Sequence, residues 1–234
     1  MGAVFRREFG SFFTSSIAYV FLAAFYFISG FFFYEQTLAS GTSDMSGFFY
    51  SILIIVALLI PVLTMKSFSE EKRQKTEQGL LTAPISLTGM VLGKYFAVFF
   101  MYVIGISITL LYACILSFYG TVDWLMIMSN YMALVLAGAA FIAVGVFISS
   151  LTENQMVAAV GGIISLLFLS MLDLIARLID IDYISDVLNA LAFYNKYNEF
   201  TVGIFNLSSV LFYISAAFIF NFLTVRVFEK RRWS

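Results

Sequence analysis

The densest run of polar chemistry in this sequence is Ser67-Phe68-Ser69-Glu70-Glu71-Lys72-Arg73-Gln74-Lys75-Thr76-Glu77-Gln78-Gly79-Leu80-Leu81-Thr82-Ala83-Pro84. Ser67 followed by Glu70 fits a capping box, in which the two side chains satisfy free N–H groups of a first helical turn. Glu71 and Lys75 stand at i, i+4, the spacing of an ion pair on one helix face. Gly79 and then Pro84 mark an exit. The stretch predicts a short charged helix over 67–81, ending in the apolar pair Leu80 and Leu81. Such a surface holds no catalytic constellation. It either docks a partner or serves as a solvated helical linker, and charge pattern alone favours the linker.

Other chemistry is sparse. The chain has no histidine and a single cysteine, Cys114, inside an apolar run. That removes Cys/His zinc sites and any triad that needs histidine. No GxxxxGK[ST] phosphate loop occurs, so the chain does not bind ATP in that way. Asp173 and Arg177 are the ionisable groups nearest a spanning segment, and their i, i+4 spacing suits a simple pair. Intramembrane carboxylates equip proton-coupled transporters. Without them, neither a self-powered secondary transporter nor an intramembrane hydrolase is expected. Any work must draw its energy from a partner.

Composition explains why polar groups are few. Hydrophobic residues make up 62% and charged residues 12%, with a mean hydropathy of +0.97. That is too little charge for a soluble exterior. A bilayer core about 30 Å thick takes roughly 20 apolar residues per helix, and the apolar runs are continuous rather than alternating, which argues against a barrel. The expected fold is an all-α integral membrane protein of a single domain, 1–234, with about six transmembrane helices. The runs lie at 17–34, 48–65, 95–118, 125–150, 156–172 and 210–227, with Pro61 expected to kink the second. Ahead of them, over 3–14, Phe5, Phe9, Phe12 and Phe13 share one helical face, as in an amphipathic helix lying in the headgroup plane. The run at 17–34 is too long and too aromatic for a signal-peptide core.

Basic residues set the orientation. Of 13 lysines and arginines, all but Arg177 and Lys196 fall on one side of a six-span chain. That side is cytoplasmic by the positive-inside rule and holds both termini. The opposite side carries the segment 173–209, with acids in its first half and aromatics in its second. Ile184, Leu188 and Leu191 repeat at helical spacing. Phe193, Tyr194, Tyr197, Phe200 and Phe205 follow. Such a segment reads either as one or two short helices dipping into the outer leaflet or as a structured cap over the helix ends. Its aromatic half is expected within the outer leaflet or against the first and sixth spans, with the acidic half facing water. Gly203 permits a turn, and Asn206 and Ser208 can cap the last span. Gly138, Gly145, Gly161 and Gly162 let helices approach closely, within one bundle or between two chains.

Three stretches resemble permease subunits of ABC-2 type exporters, especially the gliding-motility and nitrous-oxide-reductase maturation branch. They are Phe5-Arg6-Arg7-Glu8-Phe9 with Phe12 to Ser15; Phe68 to Lys72 through Thr76, Leu80-Leu81 and Pro84-Ile85-Ser86; and Phe222-Leu223-Thr224 through Glu229 to Trp233. The likeness covers nearly the whole chain. The resemblance implies a bacterial plasma-membrane subunit that forms a translocation path and couples to a separate cytoplasmic ATPase. It implies that Phe68, Ser69, Glu70, Glu71, Lys72, Arg73, Thr76, Glu77, Leu80 and Leu81 form the coupling surface. Glu70, Glu71 and Glu77 would face basic or polar-lined grooves on the ATPase, with Leu80 and Leu81 as the apolar anchor. ATP and magnesium would sit on that partner, with no cofactor on this chain. A second permease chain, identical or a sister, and membrane lipid are the other expected partners; nucleic acid is not. The segment containing Ile184 to Phe205 would act as an external gate. The chain itself would be no enzyme. Related chains often carry a histidine where this one reads Asn195-Lys196-Tyr197-Asn198, so no role for it transfers. The alternative is a membrane scaffold or sensor that recruits a cytoplasmic partner without transport.

Overall fold

The computed structural model describes residues 1–76, 86–177, 182–201, 203 and 206–232. Among these residues there are helices and no strands. Helix α1 (Gly2–Thr14) stops at Ser15, whose extended backbone and Oγ, accepting from the Ile17 amide, start α2 (Ser16–Phe33). A π-helical turn, Tyr34–Leu38, lengthens α2. Helix α3 (Ser46–Thr64) runs through Met65 into α4 (Lys66–Arg73). Helices α5 (Leu87–Ile106) and α6 (Ile108–Leu116) form the third long rod, and α7 (Trp124–Leu151) the fourth. Then come α8 (Gln155–Ser170), α9 (Leu172–Arg177), α10 (Asp182–Leu191), α11 (Phe193–Thr201) and α12 (Leu207–Arg232).

The protein is an all-α membrane protein. Among the described residues, five helices are long and apolar enough to cross a bilayer: Ser16–Leu38, Ser46–Arg73, Leu87–Leu116, Trp124–Leu151 and Leu207–Arg232. The run expected as the fifth span forms α8, which has 16 residues. At a rise of about 1.5 Å per residue α8 alone falls short of a 30 Å core. After a break at Met171 the chain turns helical again as α9.

Burial separates central from peripheral helices. In the most apolar stretch of each rod, 61% and 67% of residues are buried in the second and fourth, against 28% in the first and last. Helices α3 and α7 therefore form the core, while α2 and α12 offer Phe27, Phe31, Phe218 and Phe222 outward. Close approach at the centre depends on small residues. A Cβ at Gly138 would stand 2.1 Å from the Tyr102 ring, at Gly145 2.3 Å from Thr64 Oγ1, and at Gly162 2.8 Å from Pro61 Cβ. These glycines are filled by neighbours within the same chain, so packing inside one bundle uses them.

Two boundaries differ from the sequence reading. Helix α5 begins at Leu87, well before Tyr95, because Ser86 Oγ caps the Gly89 amide at 3.2 Å. That places Lys94 inside the helix. The charged helix has no separate start, since Ser67 lies within a rod continuing from α3. Its end comes early, at a Schellman arrangement. The Lys75 amide donates to Lys72 O at 3.2 Å, the Thr76 amide to Glu71 O at 3.0 Å, and Lys75 takes a left-handed φ of 57°. Gly79 and Pro84, the expected exit, lie outside the described residues.

Candidate coupling site

At the basic end of the bundle, four charged side chains close a ring. Arg7 Nη2 donates to Glu8 Oε1 at 2.6 Å and to Glu71 Oε1 at 2.9 Å. Lys94 Nζ reaches the same two oxygens, at 3.2 Å and 2.9 Å. Each carboxylate thus sits between two cations, and the group is neutral. Glu8 raises the Arg7 pKa above its usual value, and this outweighs partial burial. Lys94 itself is buried, and its Nζ lies 5.1 Å from the centre of the Phe68 ring. A buried ammonium is costly without compensation, and here two carboxylates and a π face supply it.

The ring ties three helices together. Arg7 and Glu8 come from α1, Glu71 from α4 and Lys94 from α5. Helix α1 lies along α5, with the buried Val4 against Gly93 and Phe5 edge-on to Phe100 at 5.6 Å. Glu71 is therefore committed inward. Lys75, its expected partner, stands beyond the end of α4, where i, i+4 geometry no longer applies.

A second set of contacts fastens α4 to α7 and α12. Ser149 Oγ accepts from the Phe68 and Ser69 amides, at 3.1 and 3.2 Å, and donates to Met65 O at 3.0 Å. Ser69 Oγ donates to the same carbonyl. Phe68 packs on Phe228 with ring centres 4.6 Å apart, and Arg231 lies over Phe228 while donating to Ser150 O at 2.6 Å. Lys72 meets Glu153 at 3.3 Å. Phe68 and Ser69 are buried; Glu70 and Lys72 are half-buried; Arg73 and Thr76 are exposed. Glu77, Leu80 and Leu81 lie outside the described residues.

With this geometry in view, comparison with known proteins decides the family. The family model for ABC-2 family transporter proteins matches residues 34–229. The chain belongs to the ABC-2 transporter family. No individually curated protein matches it. This ABC-2 chain is accordingly a membrane permease component of an ABC transporter. In general such a component works with an ATPase and is not itself the catalyst.

At the acidic end of the ABC-2 chain, the aromatic half of 173–209 is folded into the bundle. Phe193 contacts Phe141 of α7 at 5.5 Å and Tyr213 of α12 at 5.7 Å, and the Tyr213 hydroxyl donates to Phe193 O at 2.7 Å. Tyr197 donates to Phe49 O of α3 at 3.0 Å, and Ser129 of α7 donates to Phe200 O at 3.2 Å. Tyr194 stands edge-on to Tyr50. Phe193, Tyr197 and Phe200 are buried, Tyr194 and Leu188 half-buried, and Leu191 exposed. Phe205 and the side chain of Ile184 lie outside the described residues.

Two expectations for this segment are corrected. The aromatics pack on α12, the expected last span, and otherwise on α3 and α7 rather than on the first span. The outer part of the first is occupied instead by Tyr112, stacked on Phe33 at 4.7 Å and bonded to Ser29 at 3.2 Å. Asp173, expected to face water, is buried beside a cavity of about 470 Å³ lined in part by Tyr50, Ser170 and Tyr194. The expected turn and cap are present: Gly203 has φ 75°, and Asn206 Oδ1 accepts from the Ser208 amide at 2.9 Å.

Sequence reasoning missed Arg7, Glu8, Lys94 and Ser149 as members of the junction. One signal was available. Lys94 is a lone charge in the apolar stretch Val91 to Phe100, and a lone charge at that depth demands a partner.

Proposed function

We propose that this chain is the permease subunit of an ATP-driven exporter, with α4 as the element through which a separate cytoplasmic ATPase moves the bundle. The observation that carries this reading is the double fastening of α4. The ion ring joins it to α1 and α5, and Ser149 and Phe228 join it to α7 and α12. A displacement of α4 would be passed to these four helices together. Interiors packed to this density transmit displacement instead of absorbing it.

In this reading the basic end is cytoplasmic, with both termini there, and the membrane is a bacterial plasma membrane. The exposed Arg73, Gln74 and Thr76 form the face offered to the ATPase. Phe68, Ser69 and Glu71 hold α4 in place from within. ATP and magnesium belong to the partner. Two permease chains pair around the path, and α10 and α11 gate it at the outer face. The few ionisable groups within the spans favour an amphipathic or lipid-linked cargo over a small ion.

The deciding experiment is copurification of an ATPase with the tagged permease, followed by vanadate-sensitive turnover in the reconstituted complex. The variant Gln74→Lys with Thr76→Lys should weaken assembly, because like charges placed against a basic groove cost several kcal/mol. A bound ATPase with no vanadate-sensitive transport would favour the scaffold reading. Assembly unchanged in the double variant would remove this face from the docking surface.

A further inference from the structure

Between α1 and the junction of α3 with α4 lies a cavity of about 510 Å³, within the roughly 300–1,000 Å³ usual for small-ligand sites. We infer that this cavity binds a zwitterionic phospholipid headgroup, one carrying both a phosphate and a primary ammonium. The walls divide by chemistry. Phe12, Leu63 and Val98 contribute apolar surface, while Arg7, Lys66 and Glu70 contribute charge of both signs.

The inner charges are spent on one another, since Lys94 and Glu71 are closed into the ion ring. The outer ones retain bonding capacity. Lys66 and Glu70 approach only to 3.8 Å, beyond hydrogen-bond distance. Arg7 uses Nε on Glu8 and Nη2 on Glu8 and Glu71, which leaves Nη1 to reach a ligand. A simple anion entering here would meet Glu70 as well as the cations, and a simple cation would meet Lys66 and Arg7. A ligand with both charges satisfies both sides, the phosphate toward Lys66 and Arg7 and the ammonium toward Glu70.

Position favours a lipid over a soluble molecule. The cavity is flanked by α1, whose amphipathic pattern suits the headgroup plane, and by the start of α2 at Ile17. Beyond it α2 shows the exposed apolar Val20 and Phe27, along which acyl chains can lie. Bound there, a lipid headgroup would bridge α1 and α4 beside the ion ring.

The test uses the full chain alone, so its result is separate from ATPase docking. The delipidated protein is offered equal amounts of phosphatidylethanolamine and phosphatidylglycerol with identical acyl chains, and retained lipid is read by native mass spectrometry. Phosphatidylethanolamine should be retained preferentially. Lys66→Gln and, independently, Glu70→Gln should each lower its affinity about tenfold, the size of one charge-assisted contact. Each variant's melting temperature in lipid-free detergent checks folding, and having two keeps the test decisive if one fails to fold. Equal retention of both lipids, or phosphatidylethanolamine retention unchanged in the folded variants, would overturn the site. Complete displacement by excess soluble phosphoethanolamine would overturn the lipid as its source.

Discussion

Glu71 and Lys94 meet at 2.9 Å beside the Phe68 ring, so the second acid of the charged helix faces into the chain and not away from it. The pair ties α4 to α5 at the level of Arg7 and Glu8 on α1. The same residue types that would mark an exposed docking helix here form a buried joint.

Removing the lysine should therefore be felt in folding. Lys94→Met leaves Glu71 and Glu8 facing each other with Arg7 as their remaining cation. Glu71 is half-buried and keeps Arg7, so the loss should be about 2 kcal/mol, the size of a charge-assisted hydrogen bond. The melting temperature in detergent should fall markedly for Lys94→Met and less for Lys94→Met with Glu71→Gln. A double variant no better than the single would mean the two side chains are not coupled.

Ser149→Ala tests the other fastening. It strips the Phe68 and Ser69 amides of the acceptor that Ser149 supplies. An unsatisfied buried polar group costs about 1–3 kcal/mol. Transport should drop while ATPase copurification persists, because the docking face is untouched. If assembly is lost instead, Ser149 acts on docking rather than on transmission.

Two glycines make a matched comparison. At Gly138 an added Cβ would collide with the Tyr102 ring, whose hydroxyl is tied to Leu134 O at 2.8 Å. Gly138→Ala should destabilise by about 1–3 kcal/mol through overpacking. At Gly161 the nearest atom stands 3.5 Å away, an ordinary contact. Gly161→Ala should be neutral or stabilising by up to about 1 kcal/mol from helix propensity. Thermal unfolding of both variants measures the difference, and equal effects would show that α5 and α7 do not pack as described.

Topology is checked with single cysteines in a Cys114→Ser background, since Cys114 is itself exposed. Gln74 and Asp186 are exposed at opposite ends of the bundle. An impermeant maleimide on intact cells should label Asp186→Cys and leave Gln74→Cys unlabelled. The reverse pattern would invert the orientation inferred from the basic residues.

The outer segment is tested by its movement. Ala190 is exposed on α10, so spin labels at Ala190→Cys in both chains of a pair report on the outer face without disturbing the core. Their separation should change when nucleotide is trapped on the ATPase. A constant separation would make α10 and α11 a static cap.

The sequence by itself determined the membrane class, the helical content, the amphipathic character of α1, and the Gly203 turn with its Asn206 cap. These depend on composition along a single stretch, set against bilayer thickness or local hydrogen bonding, so a short window contains the whole cause. It did not determine that the fifth apolar run would break at Met171 into α8 and α9, that Lys94 would lie inside α5, or that Phe193, Tyr197 and Phe200 would pack on α3, α7 and α12. Nor did it determine which cation Glu71 would take. The i, i+4 rule offered Lys75, but the helix ends before that residue, and Arg7 and Lys94 arrive from elements 64 and 23 residues away. Only the tertiary structure decided these points, because a buried charge or aromatic ring takes the partner its neighbouring helices supply, and which helices are neighbours is a property of the whole bundle.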